Sequence, residues 1–182
     1  IGAKNDEPGY GLPTDQKTMA EILHNTGYTT AMIGKWHLGG TAKYHPMRRG
    51  FDEFLGFLHE GHSYAYPTWK GVTSMLRRLS LPDGSKGRWT NGNTIYYTSM
   101  GYNEPPYDAN NPILRGSQPV EESSYLTEAF ANEAISFIDR KKEQPFFLEV
   151  AFNSVHSPMQ AKNEDLAGLS GIEDIQRKIF AG

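Results

Sequence analysis

Cysteine is absent from all 182 residues. A disulfide framework, a thiolate metal site and a cysteine nucleophile are therefore excluded within them. Long apolar runs are also missing. The longest, PFFLEVAF ending at Phe152, is too short to cross a bilayer and carries Glu149. An excess of charge of one sign is missing too: 18 Lys and Arg stand against 21 Asp and Glu, a formal charge of −3. Neither nucleic acid nor an anionic membrane is an expected partner on that balance. The opening residues are polar and glycine-rich, unlike the apolar stretch of an export signal. No internal repeat and no low-complexity tract is present.

Hydrophobic residues make up 37 % and aromatic residues 12 % of the chain. This composition predicts a packed core in one domain, or in part of one. A start at Ile1 and a stop at Gly182, just after the amphipathic run EDIQRKIFA, read as the ends of an internal piece of a longer protein. Along the chain, a helix is expected over Asp15 to Thr26, with Thr14 as N-cap, a Met19, Ile22, Leu23 stripe and Gly27 as terminator. Tyr28 to Ile33 reads as a short buried strand leading into GKWHLGG. Residues 58–119 read as a loop-rich, ordered insertion with turn signals at Asn91-Gly92 and possible hairpin strands such as Thr94 to Thr98. A second helix is expected from a Thr127 cap, burying Phe130, Ala134, Phe137 and Ile138. Pro145 ends it, and Phe146 to Phe152 follows as an apolar strand of the kind covered on both faces. Helix and strand alternate around the insertion, which predicts an α/β fold with a mainly parallel sheet flanked by helices. Ligands bind such sheets beyond the carboxyl ends of the strands.

Both strands exit into a histidine-bearing loop. In Gly34-Lys35-Trp36-His37, an extended backbone would point Lys35 and His37 to the same side. A lysine offers a compact positive charge to an anion, and a histidine can accept or deliver a proton. The plainer reading is a surface lysine and a hydrogen-bonded histidine. His156, in NSVHSP, is a second candidate proton donor or anion ligand; alone it reads as a turn-capping residue. His59 and His62 in HEGHSY lack a third ligand for a metal; an alternative reading has His62, with Tyr64, helping to line a substrate pocket. Arg48 and Arg49 read as a basic turn paired with Asp52 and Glu53. The tyrosines and tryptophans of the insertion (Tyr64, Tyr66, Trp69, Trp89, Tyr96, Tyr97) suit either sugar stacking or a small core of their own. No phosphate-binding loop, dinucleotide fingerprint, serine-nucleophile elbow or EF-hand spacing occurs.

The stretch GYTTAMIGKWHLGG, Gly27 to Gly40, resembles a signature of the sulfatase family. GLPTDQKTMAEIL before it, HPMRRGFDEFLGFLHEGHSY after it, and YLTEAFANEAISFIDRKKEQPFFLEVAFNSVHSPMQA later resemble the family in its own order. The likeness is closest to the arylsulfatase B and galactosamine-sulfate branch. It implies an alkaline-phosphatase-like α/β fold, present here as the middle part of one catalytic domain over residues 1–182. It also implies hydrolysis of a sulfate ester, on a sulfated small molecule or glycan, with bound calcium and a formylglycine nucleophile made from cysteine or serine in a C/S-x-P-x-R motif. By the same resemblance Lys35 contacts the sulfate and the nucleophile. His37 hydrogen-bonds the nucleophile and helps eliminate sulfate, and His156 donates toward the leaving oxygen or holds the sulfate. An exported location, periplasmic, extracellular or lysosomal, follows from the family alone.

The sequence departs from the family at the nucleophile. Ser80-Leu81-Pro82 and Ser117-Gln118-Pro119 have Gly84 and Glu121 where the arginine of the motif belongs. The paired aspartates and the later D-N-G metal segment are absent as well. The formylglycine and the calcium ligands are thus expected outside residues 1–182, no metal ligand is assigned within them, and these residues alone are expected to be inactive. Two alternatives stay open on the sequence: a phosphoester or phosphonate hydrolase of the same superfamily, and a non-catalytic homologue that binds sulfated glycans.

Overall fold

The computed structural model describes residues 5–65 and 70–182. Tyr66 and Trp69 lie outside the described residues. The chain divides into two compact units, residues 1–62 with 107–153, and residues 63–106 with 154–182.

The first unit is built on a five-stranded sheet of β1 (Thr29–Lys35), β2 (Glu53–Phe57), β6 (Leu114–Arg115), β7 (Gln118–Pro119) and β8 (Phe146–Ala151). Its order is β7-β6-β2-β1-β8. β1 pairs in parallel with both β2 and β8, and β6 closes the other side antiparallel. This is the expected mainly parallel α/β layer. β8 is the outer strand of the described sheet rather than a covered one, and Glu149 is exposed.

Two helices accompany this sheet. α1 (Met19–His24) starts later than expected. Thr18, not Thr14, is its N-cap: the Thr18 hydroxyl accepts from the Glu21 N–H while the Glu21 carboxylate accepts from the Thr18 N–H. Its end matches expectation. The Tyr28 N–H bonds the Leu23 carbonyl and the Gly27 N–H bonds that of His24, with Gly27 at φ 94°. That paired closure is a Schellman turn, and its left-handed residue favours glycine. Only Ala20 of α1 is buried; Met19 and Ile22 are exposed, so the expected stripe is not a core stripe. α2 (Leu126–Lys141) buries Leu126, Phe130, Ala134 and Phe137, while Ile138 faces solvent against expectation. Thr127 lies one residue inside the helix, capped instead by Tyr125. Phe130 packs with Ile33, Leu55, Phe57 and Ile113. Met32, Trp36, Phe51 and Phe54 form a second cluster with Ala20 of α1. Alternation along β1 thus feeds two cores, as a strand covered on both faces requires.

Arg49 is not paired with Asp52 or Glu53. It is 1 % exposed, and its guanidinium donates to Glu21 and to the carbonyls of Leu12, Pro13 and Gln16. Asp52 instead accepts from the Thr30 N–H (2.9 Å) and hydroxyl (3.0 Å), beside His24. Glu53 pairs with Arg140 and Lys141 of α2.

The second unit has a four-stranded sheet in the order β4-β5-β3-β9. It comprises β3 (Val72–Arg77), β4 (Arg88–Asn91), β5 (Thr94–Tyr97) and β9 (Met159–Lys162). β4 and β5 form the hairpin expected at Asn91-Gly92, with Gly92 at φ 57° in a two-residue loop. α3 (Asn163–Ala167) and α4 (Ile175–Ala181) cover one face, where Leu166 and Ile179 pack on Met75, Ile95, Tyr97 and Ala161. Tyr64 and Tyr97 are buried; Trp89 is exposed and Tyr96 half-exposed.

Two predictions follow from the first sheet. Burial works to raise the Asp52 pKa, but the Thr30 and His24 contacts outweigh it and hold it below its ordinary 3.8. A carboxylate with a depressed folded value gives stability that is complete above the ordinary value and lost as pH falls through the folded one. Asp52→Asn keeps an oxygen that can accept from Thr30, so it is expected to cost only about 0.5–1.5 kcal/mol near neutrality and to reduce the acid sensitivity below pH 3.8, as read by urea melts across pH. Gly34 has φ 110°, and a Cβ there would collide with the Ala151 carbonyl of β8. Gly34→Ala is expected to destabilise by about 2 kcal/mol or more, since backbone strain and a backbone clash act together. An unchanged urea midpoint would contradict this account of Gly34.

Candidate active site

Parallel pairing brings the exits of β1, β2 and β8 to one end of the first sheet. β1 ends at Lys35, opposite Phe57. The ladder continues one step further, with the Trp36 N–H bonding the Phe57 carbonyl and the His37 N–H bonding that of Leu58. His37 has φ 54°, so extended alternation does not run through it. Its backbone is held by the bond to the Leu58 carbonyl, and its Nε2 is shielded from solvent. Trp36 is anchored by its indole N–H to the Tyr44 carbonyl at 2.8 Å.

Lys35 is half-buried. Among the described residues its ammonium has no hydrogen bond and no ion pair. Burial lowers its pKa from the ordinary 10.5, and attraction to Glu60 opposes that only in part. An ammonium placed so is under-compensated and favours an anionic ligand.

β2 exits into Leu58-His59-Glu60-Gly61-His62, and three buried asparagines hold that loop. Asn5 donates to the Leu58 carbonyl at 2.7 Å. Asn111 donates to the Gly61 carbonyl at 2.8 Å and accepts the His59 N–H at 3.2 Å. Asn153, just beyond β8, donates to the His62 carbonyl at 3.2 Å. The imidazoles themselves meet carboxylates: His59 Nε2 lies 2.8 Å from Asp6, and His62 Nδ1 lies 3.4 Å from Asp108. His62 also packs on the Phe57 ring. The sequence reading missed these asparagines. A residue type common in loops gave no sign of partners about fifty to ninety positions away.

Lys35, His37 and His62 therefore share one end of one sheet. His156 belongs to the second unit, where its Nδ1 lies 2.6 Å from the Ser157 carbonyl and its own carbonyl accepts from the buried Tyr64 hydroxyl at 3.0 Å. No group of three or more His, Asp or Glu side chains placed to hold a metal ion occurs among the described residues. Among the described residues the donor set does not fit a calcium site.

A family model described as Sulfatase matches residues 2–169. Arylsulfatase G of Rattus norvegicus is 35% identical over 158 residues, covering 82% of this chain and 27% of that protein. N-acetylgalactosamine-6-sulfatase of Mus musculus is 27% identical over 168 residues, covering 86% and 25% respectively. The crystal structure of Ps i-CgsB in complex with k-i-k-neocarrahexaose superposes with a TM-score of 0.71 at 32% identity, covering 97% of this chain and 35% of that one. The chain thus spans about a quarter of the length of the curated relatives it matches. With one family model running across nearly all of both units, the chain belongs to the sulfatase family.

Proposed function

We propose that this chain carries part of the active centre of a sulfuric ester hydrolase acting on a sulfated carbohydrate. The observation that carries the reading is Lys35: a half-buried cation at the carboxyl end of a central parallel strand, with no anionic group bonded to it among the described residues. A sulfate ester supplies the missing negative charge. The carbohydrate is supported by what two similar proteins are, an N-acetylgalactosamine-6-sulfatase and a protein crystallised with neocarrahexaose.

In this reading Lys35 binds the sulfuryl oxygens and stabilises charge that builds on them as the ester bond breaks. His37, its backbone held by the bond to Leu58, manages a proton at the nucleophile. His62 lines the substrate pocket on its stapled loop. His156 delivers a proton to the departing alcohol oxygen. A formylglycine, when present, supplies the nucleophilic oxygen; no residue of this chain has the sequence context to become one. Calcium is likewise held by residues beyond this chain, and the enzyme is an exported one.

In the full-length protein, Lys35→Ala is expected to lower kcat/KM for every sulfate ester by a similar factor, about 10²-fold or more. His156→Ala is expected to cost up to about 10²–10⁴-fold for esters of basic alcohols and much less for activated aryl sulfates. A leaving-group series assayed with both variants checks this. Equal sensitivity of the His156 variant across the series would make it a sulfate-holding residue instead of an acid.

Lys35 also sets a pH dependence. Only its ammonium form holds an anion, and its folded pKa lies below 10.5. Competitive inhibition by inorganic sulfate is expected to weaken as pH rises toward that lowered value, and Lys35→Arg, which stays charged, is expected to retain it. Inhibition that is flat with alkaline pH in the unmodified enzyme would remove Lys35 from the anion site.

A further inference from the structure

The sheet of the second unit has two unlike faces. α3 and α4 cover the face of Met75, Ile95 and Ala161. The opposite face presents a row of flat groups across three neighbouring strands. Trp89 on β4 stacks on Tyr96 of β5 with ring centroids 5.3 Å apart and planes within 18°. The guanidinium of Arg78, just after β3, lies 4.8 Å from the same Tyr96 ring. Because β5 runs between β4 and β3, Tyr96 is held between the indole and the guanidinium.

This row is not a core. Trp89 is 41% exposed, on the edge strand β4, and its indole N–H bonds no described residue. The Arg78 guanidinium has no carboxylate partner among the described residues; it donates to the Arg77 carbonyl at 3.0 Å, while the backbone N–H bonds the Tyr97 carbonyl. The neighbouring Arg77 is spent differently, on Glu104 and Tyr102 inside the unit. Residues 70–103 carry Lys70, Arg77, Arg78, Lys86 and Arg88 against one carboxylate, Asp83, in a chain whose formal charge is −3. Of these, Arg77 pairs with Glu104 and Arg88 with Asp174, the N-cap of α4, which leaves Arg78 as the cation set against the Tyr96 ring.

We propose that the Trp89–Tyr96–Arg78 row is a binding surface for an anionic saccharide, separate in its residues from the Lys35 site. An indole face offers the apolar CH surface of a pyranose a flat partner, and a guanidinium offers a sulfate group a planar pair of donors. Trp89 and Arg78 belong to strands two positions apart, about 9.5 Å in a sheet. One sugar ring does not reach across that span, so the ligand is an oligosaccharide lying across the strands with its sulfate toward Arg78. The ligand class rests on the sulfated-carbohydrate reading above. The assay below reads binding and not hydrolysis, so each can fail without the other.

The test measures binding of the full chain to size-matched dextran sulfate and dextran oligosaccharides by calorimetry, with poly(vinyl sulfate) as a sugar-free polyanion. Dextran sulfate is expected to bind at least about tenfold more tightly than dextran. Trp89→Ala is expected to weaken dextran sulfate about three- to tenfold and Trp89→Phe to recover most of the loss. Arg78→Gln is expected to weaken dextran sulfate by a similar factor while leaving dextran unchanged. Lys17→Gln, which removes an equal charge from an exposed lysine of the first unit, is expected to change nothing. Thermal melts of each variant check that the fold is kept. Binding by Trp89→Ala or Arg78→Gln equal to that of the unmodified chain would overturn the proposal. So would poly(vinyl sulfate) binding as tightly as dextran sulfate, since charge alone would then suffice.

Discussion

Strands that run parallel deliver all their carboxyl ends to one end of the sheet, and β1 is hydrogen-bonded in that sense on both edges. Lys35, the β2 exit loop and Asn153 are neighbours for that reason alone. The pairing is tight at its end. Gly34 stands opposite Gly56 on one side and Ala151 on the other, and side chains on either glycine would run into neighbouring carbonyls. The cation that the functional reading turns on is therefore placed by backbone geometry, while the two apolar clusters on either side of β1 keep that geometry rigid.

A polar loop leaving such a sheet must still satisfy its own carbonyls and N–H groups. Here neutral amides do most of that work. Asn5, Asn111 and Asn153 reach the β2 exit loop from three separated parts of the chain and meet four of its backbone groups. Each bond contributes only about 1 kcal/mol net, but loss of a partner would strand a buried group at a larger cost, about 1–3 kcal/mol. Arg49 acts in the same manner, tying carbonyls of the 12–16 segment to Glu21 of α1.

The features legible in the sequence were those with local causes. The Gly27 terminator, the strand running into Lys35, the Phe130–Phe137 face of α2 and the Asn91-Gly92 hairpin each follow from residues a few positions apart. The misreadings were also local, where two candidates competed. Thr14 and Thr18 both suit an N-cap, and Glu21 decides for Thr18 by completing a reciprocal pair of bonds. Ile138 fits the apolar period of α2 but lies on the far edge of its stripe, where the sheet no longer covers it. Arg49 and the asparagines were illegible for a different reason. Their partners are set by tertiary contacts across many residues, and neither composition nor periodicity encodes those distances. Aromatic residues of the insertion divided only in the structure, Tyr64 and Tyr97 into cores and Trp89 to the surface.

The first unit is assembled from two stretches of chain with three strands of the second sheet, β3 to β5, between them. During synthesis, β1 and β2 leave the ribosome together, but β8 and Asn153 emerge only after some ninety further residues. Closing a loop of that length costs only slowly more free energy as the loop lengthens, yet it delays the contact. Until then one edge of β1 and its apolar faces stand open, a state in which nascent chains are vulnerable to aggregation. The Lys35 end of the sheet is thus among the last features of the unit to become ordered, although Lys35 itself is made before β2, β6 and β8.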